Sequence, residues 1–213
     1  MNIVSIKQIL TQKEPANLYD AVEPVLKDAG LRDQLVEGSF AKNETYRYNC
    51  VRVLYRAIAQ GPRLFYSYWD QFVKMIGSPN GFHRSIAAQA IAHLASVDTD
   101  CRLDRIFNHY LKLLDDQKVM VTHYFLETIG FIYHARPDLQ NKIITSLLNI
   151  DQTKHLPGRK DLLKADIIIV FDRLFDTLSP NSKKKVTAFV ETKLESSSSK
   201  TRKAANEFGK KHQ

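Results

Sequence analysis

The sequence predicts an all-α fold: a solenoid of about five stacked antiparallel helix pairs running through the whole chain. Three observations predict it. First, an apolar register returns every 37 to 42 residues. Tyr68, Trp69, Phe72, Val73 and Ile76 map onto Ile106, Phe107, Tyr110, Leu111 and Leu114 by adding 38. Adding 37 carries Ile106, Phe107, Tyr110 and Leu111 onto Ile143, Ile144, Leu147 and Leu148, and adding 42 carries Ile144, Leu147 and Leu148 onto Val186, Phe189 and Val190. Second, apolar residues recur at helical spacing through nearly everything after residue 43. Third, the patterned segments are separated by proline, glycine, asparagine and paired aspartates, residues that end helices and make turns.

The elements follow in order. A helix is expected over 44–60, with Val51, Leu54, Tyr55 and Ile58 on one face, and Pro62 breaks the chain after it. The next covers 63–76 and stops at the Gly77-Ser-Pro-Asn-Gly81 turn. A third covers 83–95, carrying Ala87, Ala90, Ile91 and Leu94, and a fourth covers 104–114 and ends at Asp115-Asp116. The fifth covers 119–134 and the sixth 137–149, with Pro137 in the first turn, where its missing N–H costs nothing. A longer connection, 151–158, stretches the period to 42. The seventh covers 159–178, the eighth 182–194, and a short last helix 200–211 follows the Ser196–Ser199 linker.

The first helices of successive pairs share a register as well. Ala88, Ile91, Ala92 and Ala95 map onto Phe125, Thr128, Ile129 and Ile132, then onto Ile167, Val170, Phe171 and Leu174, and in part onto Ala204 and Phe208. The last helix therefore reads as half a unit left to close the stack. Residues 1–42 fit the register poorly. Ile3–Leu10 reads as a short helix, and Leu18–Val36 as one or two more, with Pro24 expected to kink or break them. The domain assignment is one array: a degenerate N-terminal capping unit over 1–42, core repeats over 43–195, and a capping helix over 199–213.

The helix pairs, the period and the pattern Arg84-x-x-Ala87-Ala88-x-Ala90-Ile91, partly repeated at Arg202-Lys203-Ala204-Ala205, resemble the HEAT-like and armadillo-like α-solenoid superfamily. The resemblance covers about residues 43–213 and implies a right-handed superhelix. Val121 and Leu163 stand where two further units would carry the arginine. The resemblance speaks to architecture rather than activity, because one fold hosts many functions.

Composition narrows the class. With 44% hydrophobic residues, the chain has enough apolar material for a packed core. The longest apolar run, Ile167–Phe171, lies between Asp166 and Asp172, far short of the roughly 18 residues that span a bilayer. The N-terminus lacks a signal-peptide pattern. Two cysteines make no disulfide framework, and Cys50 falls on an apolar face as a free buried thiol. These features point to the cytoplasm. The net charge of +8 is uneven: residues 1–150 carry 17 Lys and Arg against 15 Asp and Glu, whereas 151–213 carry 14 against 8. Such a surface suits acidic proteins, nucleic acid or anionic membranes.

In arrays of this kind the second helix of each pair lines the concave face. Equivalent polar positions there form ladders: Ser67, Arg105, Lys142 and Lys184; Gln71, His109 and Ser146; Lys74, Lys112 and Asn149. Arg105, His109 and Lys112 sit at i, i+4 and i+7, hence on one face. Lys74, Arg105, His109, Lys112, Lys142 and Lys184 are the candidate partner-binding residues. They form either a groove for an acidic peptide or phosphate backbone, or an ordinary solvated face. Lys183, Lys184 and Lys185, read as the first turn of the eighth helix, oppose the helix dipole and hint at an anionic partner. Lys200, Arg202, Lys203, Lys210 and Lys211 extend the charge, but no aromatic residues interleave with these lysines to stack bases.

Catalytic and metal-binding signals are absent. The seven histidines show no metal-ligand spacing; His83 and His155 read as solvated. The chain has no phosphate-binding glycine loop and no Gly-x-Ser-x-Gly elbow. Asp166, at the edge of a core face, must be exposed or paired; Arg159 and Lys164 reach it only across turns. Trp69-Asp70 is similar to the aromatic-plus-aspartate cleft of HEAT-like alkylpurine DNA glycosylases, yet Trp69 occupies a core register position, and no catalytic role is assigned to Asp70. The expected function is a non-enzymatic protein–protein scaffold or adaptor, with no cofactor, metal ion or catalytic residue. The alternative is binding to a nucleic-acid backbone, in its sharpest form DNA repair. The sequence leaves the oligomeric state open.

Overall fold

A computed structural model describes residues 3–212. Met1, Asn2 and Gln213, at the outer ends of the two expected capping segments, lie outside the described residues. The chain is all-helical: twelve α-helices and no strand occur among the described residues. They are α1 (Ile3–Thr11), α2 (Val22–Lys27), α3 (Ala29–Gly38), α4 (Glu44–Gln60), α5 (Trp69–Ile76), α6 (Gly81–Leu94), α7 (Arg102–Leu111), α8 (Val119–Ala135), α9 (Gln140–Leu148), α10 (Pro157–Leu174), α11 (Pro180–Glu191) and α12 (Ser199–His212). No helix is long and apolar enough to cross a membrane.

Local chemistry fixes the helix starts. Asp28, Asn43, Asn80 and Ser179 each accept a backbone N–H from the first turn of α3, α4, α6 and α11, satisfying donors that an uncapped helix leaves orphaned. Proline acts as a starter more than as a breaker. Pro157 and Pro180 stand in the first turns of α10 and α11, so both helices begin two residues before the expected positions. Pro62 and Pro137 open 3-10 turns, Pro62–Tyr68 and Pro137–Leu139, that run into α5 and α9. Pro24 lies in the first turn of α2; the break between α2 and α3 falls at Asp28, whose backbone is extended (φ −122°, ψ 122°).

The contacts divide the chain into two compact units, Met1–Arg102 and Leu103–Gln213. In the first, α4 is central, packing on α1, α2, α3 and α6, while α5 packs on α6. Its core holds Phe65, Trp69 and Phe72 with Leu54, Ile58 and Ile91, each essentially inaccessible. Gly38 is a close-approach site: a Cβ there would fall 2.6 Å from Cys50 Sγ and 2.9 Å from the Tyr46 ring. Cys50 is buried as expected, and burial pushes its thiol pKa up to about 12, which leaves it unreactive.

In the second unit α8, α10 and α12 lie side by side; α9 packs on α8 and α11, and α11 on α12. The register residues carry these contacts. Phe107, Ile144 and Val186 are buried, as are Phe125, Ile129, Ile132, Ile167, Phe171, Leu174, Ala204 and Phe208. Burying a large aliphatic or aromatic side chain is worth about 1.5–3 kcal/mol, so these positions dominate the packing.

Candidate functional site

The candidate cations stand on α5, α7, α9 and α11. Lys74 is exposed on α5 in the first unit. In the second unit Arg105 and His109 are exposed on α7, and Lys112 on the 3-10 turn Lys112–Asp115 that continues it. Lys142, on α9, reaches back to α7: its Nζ donates to Asn108 Oδ1 at 2.5 Å and lies 5.6 Å from the centre of the Phe107 ring. Lys142 thus ties α9 to α7 while keeping its charge on the surface. Lys184 is exposed on α11. Because Ser179 caps α11 and Pro180 opens it, Lys183, Lys184 and Lys185 fall in the second turn rather than the first. The dipole penalty concentrates in the first turn, so their position alone says little about a ligand. Lys183 settles over the Phe175 ring at 5.2 Å.

Six aspartates of this unit are engaged elsewhere. Arg136 pairs with Asp104 at 2.5 Å and with Asp138 at 2.7 Å; these bonds, Asp138 foremost, push its pKa up against the opposing pull of burial. Buried Lys164 lies between Asp151 (2.8 Å) and Asp161 (3.3 Å). Asp166 is paired, as its place at the core edge requires, but by residues of other helices: His123 on α8 at 2.9 Å and Lys200 on α12 at 2.7 Å. Asp172 takes Lys211 at 3.0 Å and His212 at 2.6 Å. Among the described residues, no carboxylate forms an ion pair with Arg105, His109, Lys112 or Lys184, so these side chains keep their hydrogen-bonding edges for solvent or a partner.

Two sequence readings change. His155, expected in solvent, is 8% exposed; its Nε2 lies 3.0 Å from Leu114 O and 3.3 Å from Thr122 Oγ1, fastening the 151–158 connection to the core. His83 is half-buried against Ser78. Leu114 and Thr122 reach His155 from 41 and 33 residues away through tertiary packing, whereas Ser78 stands only five residues before His83, in the turn that leads into α6.

Trp69 is 1% exposed and belongs to the core. Asp70 is solvent-facing and pairs with Arg102, whose guanidinium lies over the Tyr66 and Trp69 rings at 5.5 and 5.8 Å. Asp98 anchors this corner by accepting from Tyr66 OH at 2.6 Å and from the Arg102 backbone N–H at 2.9 Å. The aromatic faces beside Asp70 are occupied by that arginine. No group of three or more His, Cys, Asp or Glu side chains that could hold a metal ion occurs among the described residues.

The fold and its exposed cations define a helical protein with a basic surface. No protein-family model matches the sequence. No curated protein matches it either. Among solved structures it is similar to an engineered protein known from a crystal structure, with 17% identity and a TM-score of 0.48 over 98% of this chain and 97% of that one; a likeness of that degree carries no functional argument.

Proposed function

We infer that the chain is a scaffold or adaptor whose helix pairs stack as the α-solenoid that the period predicts, and that it holds an acidic segment of a partner protein on α7, α9 and α11. The observation carrying this reading is the segregation of charge in the second unit. Asp104, Asp138, Asp151, Asp161, Asp166 and Asp172 are engaged in internal ion pairs, while Arg105, His109, Lys112 and Lys184 are exposed and form no ion pair with a carboxylate among the described residues. Exposed arginine and lysine steer an acidic partner and fix its register, and an arginine fork adds bidentate pairing.

The test is capture from a native lysate with the full chain as bait, compared with the triple variant R105E/K142E/K184E. The reading expects the variant to lose the proteins that the natural chain retains. Equal capture by both places the partner surface elsewhere. Binding to a nucleic-acid backbone is separated in the same experiment by titrating duplex DNA: a backbone binder loses affinity with a log–log salt slope of about −0.9 per phosphate neutralised.

A further inference from the structure

A second cationic surface lies in the first unit, on residues that the repeat register leaves aside. Tyr48, Arg52 and Arg56 stand at i, i+4 and i+8 along α4, one above the other on a single face. Arg52 lies over two rings, Tyr19 at 5.3 Å and Tyr48 at 5.5 Å, and Arg56 lies over Tyr19 at 5.5 Å. Arg52 Nη2 also approaches Tyr19 OH at 3.4 Å. Both rings are strongly exposed, Tyr48 at 63% and Tyr19 at 47%. Among the described residues, no carboxylate forms an ion pair with either arginine. Ring contact restrains both guanidinium groups; Arg52 is half-buried and turns one nitrogen to Tyr19, while Arg56 is exposed.

We propose that this tyrosine–arginine ridge is a docking surface for an acidic peptide segment of a partner protein. Two oriented guanidinium groups one helical turn apart match two carboxylates at about 6 Å, the spacing of acidic residues three or four apart on a helix. Each pair forms a bidentate, charge-assisted contact. Tyr48 and Tyr19 supply rigid aromatic area around them, and tyrosine with arginine is the composition of interface hot spots. A long polyanion fits less well. Tyr19 also lines an open depression with Asp20, Glu23, Lys27 and Asp28, where Lys27 pairs with Glu23, and a phosphate backbone running from the ridge into it meets the carboxylates of Asp20 and Asp28. A short acidic segment ends before it does. The ridge shares no residue with α7, α9 or α11, so this proposal stands apart from the function inferred above.

The test uses the isotope-labelled full chain, titrated at low salt with a short peptide bearing two glutamates four residues apart and, separately, with oligothymidylate. With the natural chain, the peptide moves the amide signals of α4 and of Leu18–Ala21 in saturable fashion. In R52Q/R56Q, affinity for these sites falls about tenfold or more, with the far-UV circular dichroism unchanged. R52K/R56K retains the charge but loses the planar fork and lands between. Y48S weakens binding through loss of ring area, and R105E/K142E/K184E leaves these signals responsive. No response of α4, an undiminished response in R52Q/R56Q, or tighter binding of oligothymidylate than of the peptide at the ridge overturns the proposal.

Discussion

Gly38 shows how one atom constrains the first unit. Its missing Cβ makes room for Cys50 Sγ and the Tyr46 ring, and cores are too tightly packed to absorb an added methyl group without displacement. Gly38→Ala is expected to cost about 1–3 kcal/mol, read as a lower urea midpoint with unchanged slope. Cys50→Ala in the same chain should recover part of that loss, because it removes the nearer obstacle and leaves the ring. Purely additive effects in the double variant would show that the two positions do not meet. His155 offers a second check. Replacing it with alanine strands the Leu114 carbonyl in a buried site, and leaving such a group unsatisfied costs about 1–3 kcal/mol; a midpoint equal to that of the natural chain would show that the connection is solvated. The residue scale was only half legible in the sequence. Asp166 could be marked as a charge needing a partner, because its cost depends on its own helix. His123 and Lys200 could not be named, because they come from 43 and 34 residues away.

At the scale of the element, α6 predicts a pH dependence. Burial lowers the pKa of His93 from 6.5; burial first, then the neighbouring charge of Arg47, lowers that of His83. The folded helix therefore resists protons that the unfolded chain accepts. Their contribution to stability is complete above 6.5 and is lost as pH falls toward the lower folded values. In H83Q/H93Q the slope of urea midpoint against pH just below 6.5 should flatten relative to the natural chain. An unaltered slope would assign the dependence to other groups. The last element, α12, is held by Phe208, 4% exposed, against the Phe175 ring at 5.2 Å, and by His212, 4.2 Å from that ring and bonded to Asp172. Phe208→Ala is expected to cost about 3–5 kcal/mol and to speed amide exchange in α12 before α8. Helix interiors were readable from the sequence, and α4 coincides with its expected span. Helix starts were less so. Pro157 falls inside the expected 151–158 connection and Pro180 between the expected seventh and eighth helices, yet a proline serves equally well as the first helical residue, and only backbone geometry separates the two roles.

For the whole molecule, the prediction concerns charge. If the exposed cations of α7, α9 and α11 carry recognition, the association rate with an acidic partner should fall steeply with ionic strength, while dissociation changes little. A rate independent of salt would point to apolar recognition instead. The apolar period and the breaks by themselves determined that the chain is all-helical and much of its core, because burial follows each helix face at fixed spacing along it, although register residues such as Val73, Ile106, Leu111 and Phe189 are only half-buried. The same spacing supplied the candidate cations. Only the tertiary structure decided which charges are spent and which remain open. Asp104, Asp151 and Asp172 look as solvated in the sequence as Arg105 or Lys184, but packing brings cations to the aspartates and, among the described residues, no carboxylate into an ion pair with those two. The tyrosine–arginine ridge has the same origin: the 48, 52, 56 spacing was visible along α4, while Tyr19 joins it through a fold that places residues 33 apart at hydrogen-bond range. Ion pairing and ring contact depend on distances of a few ångströms between helices, which periodicity along one helix does not encode.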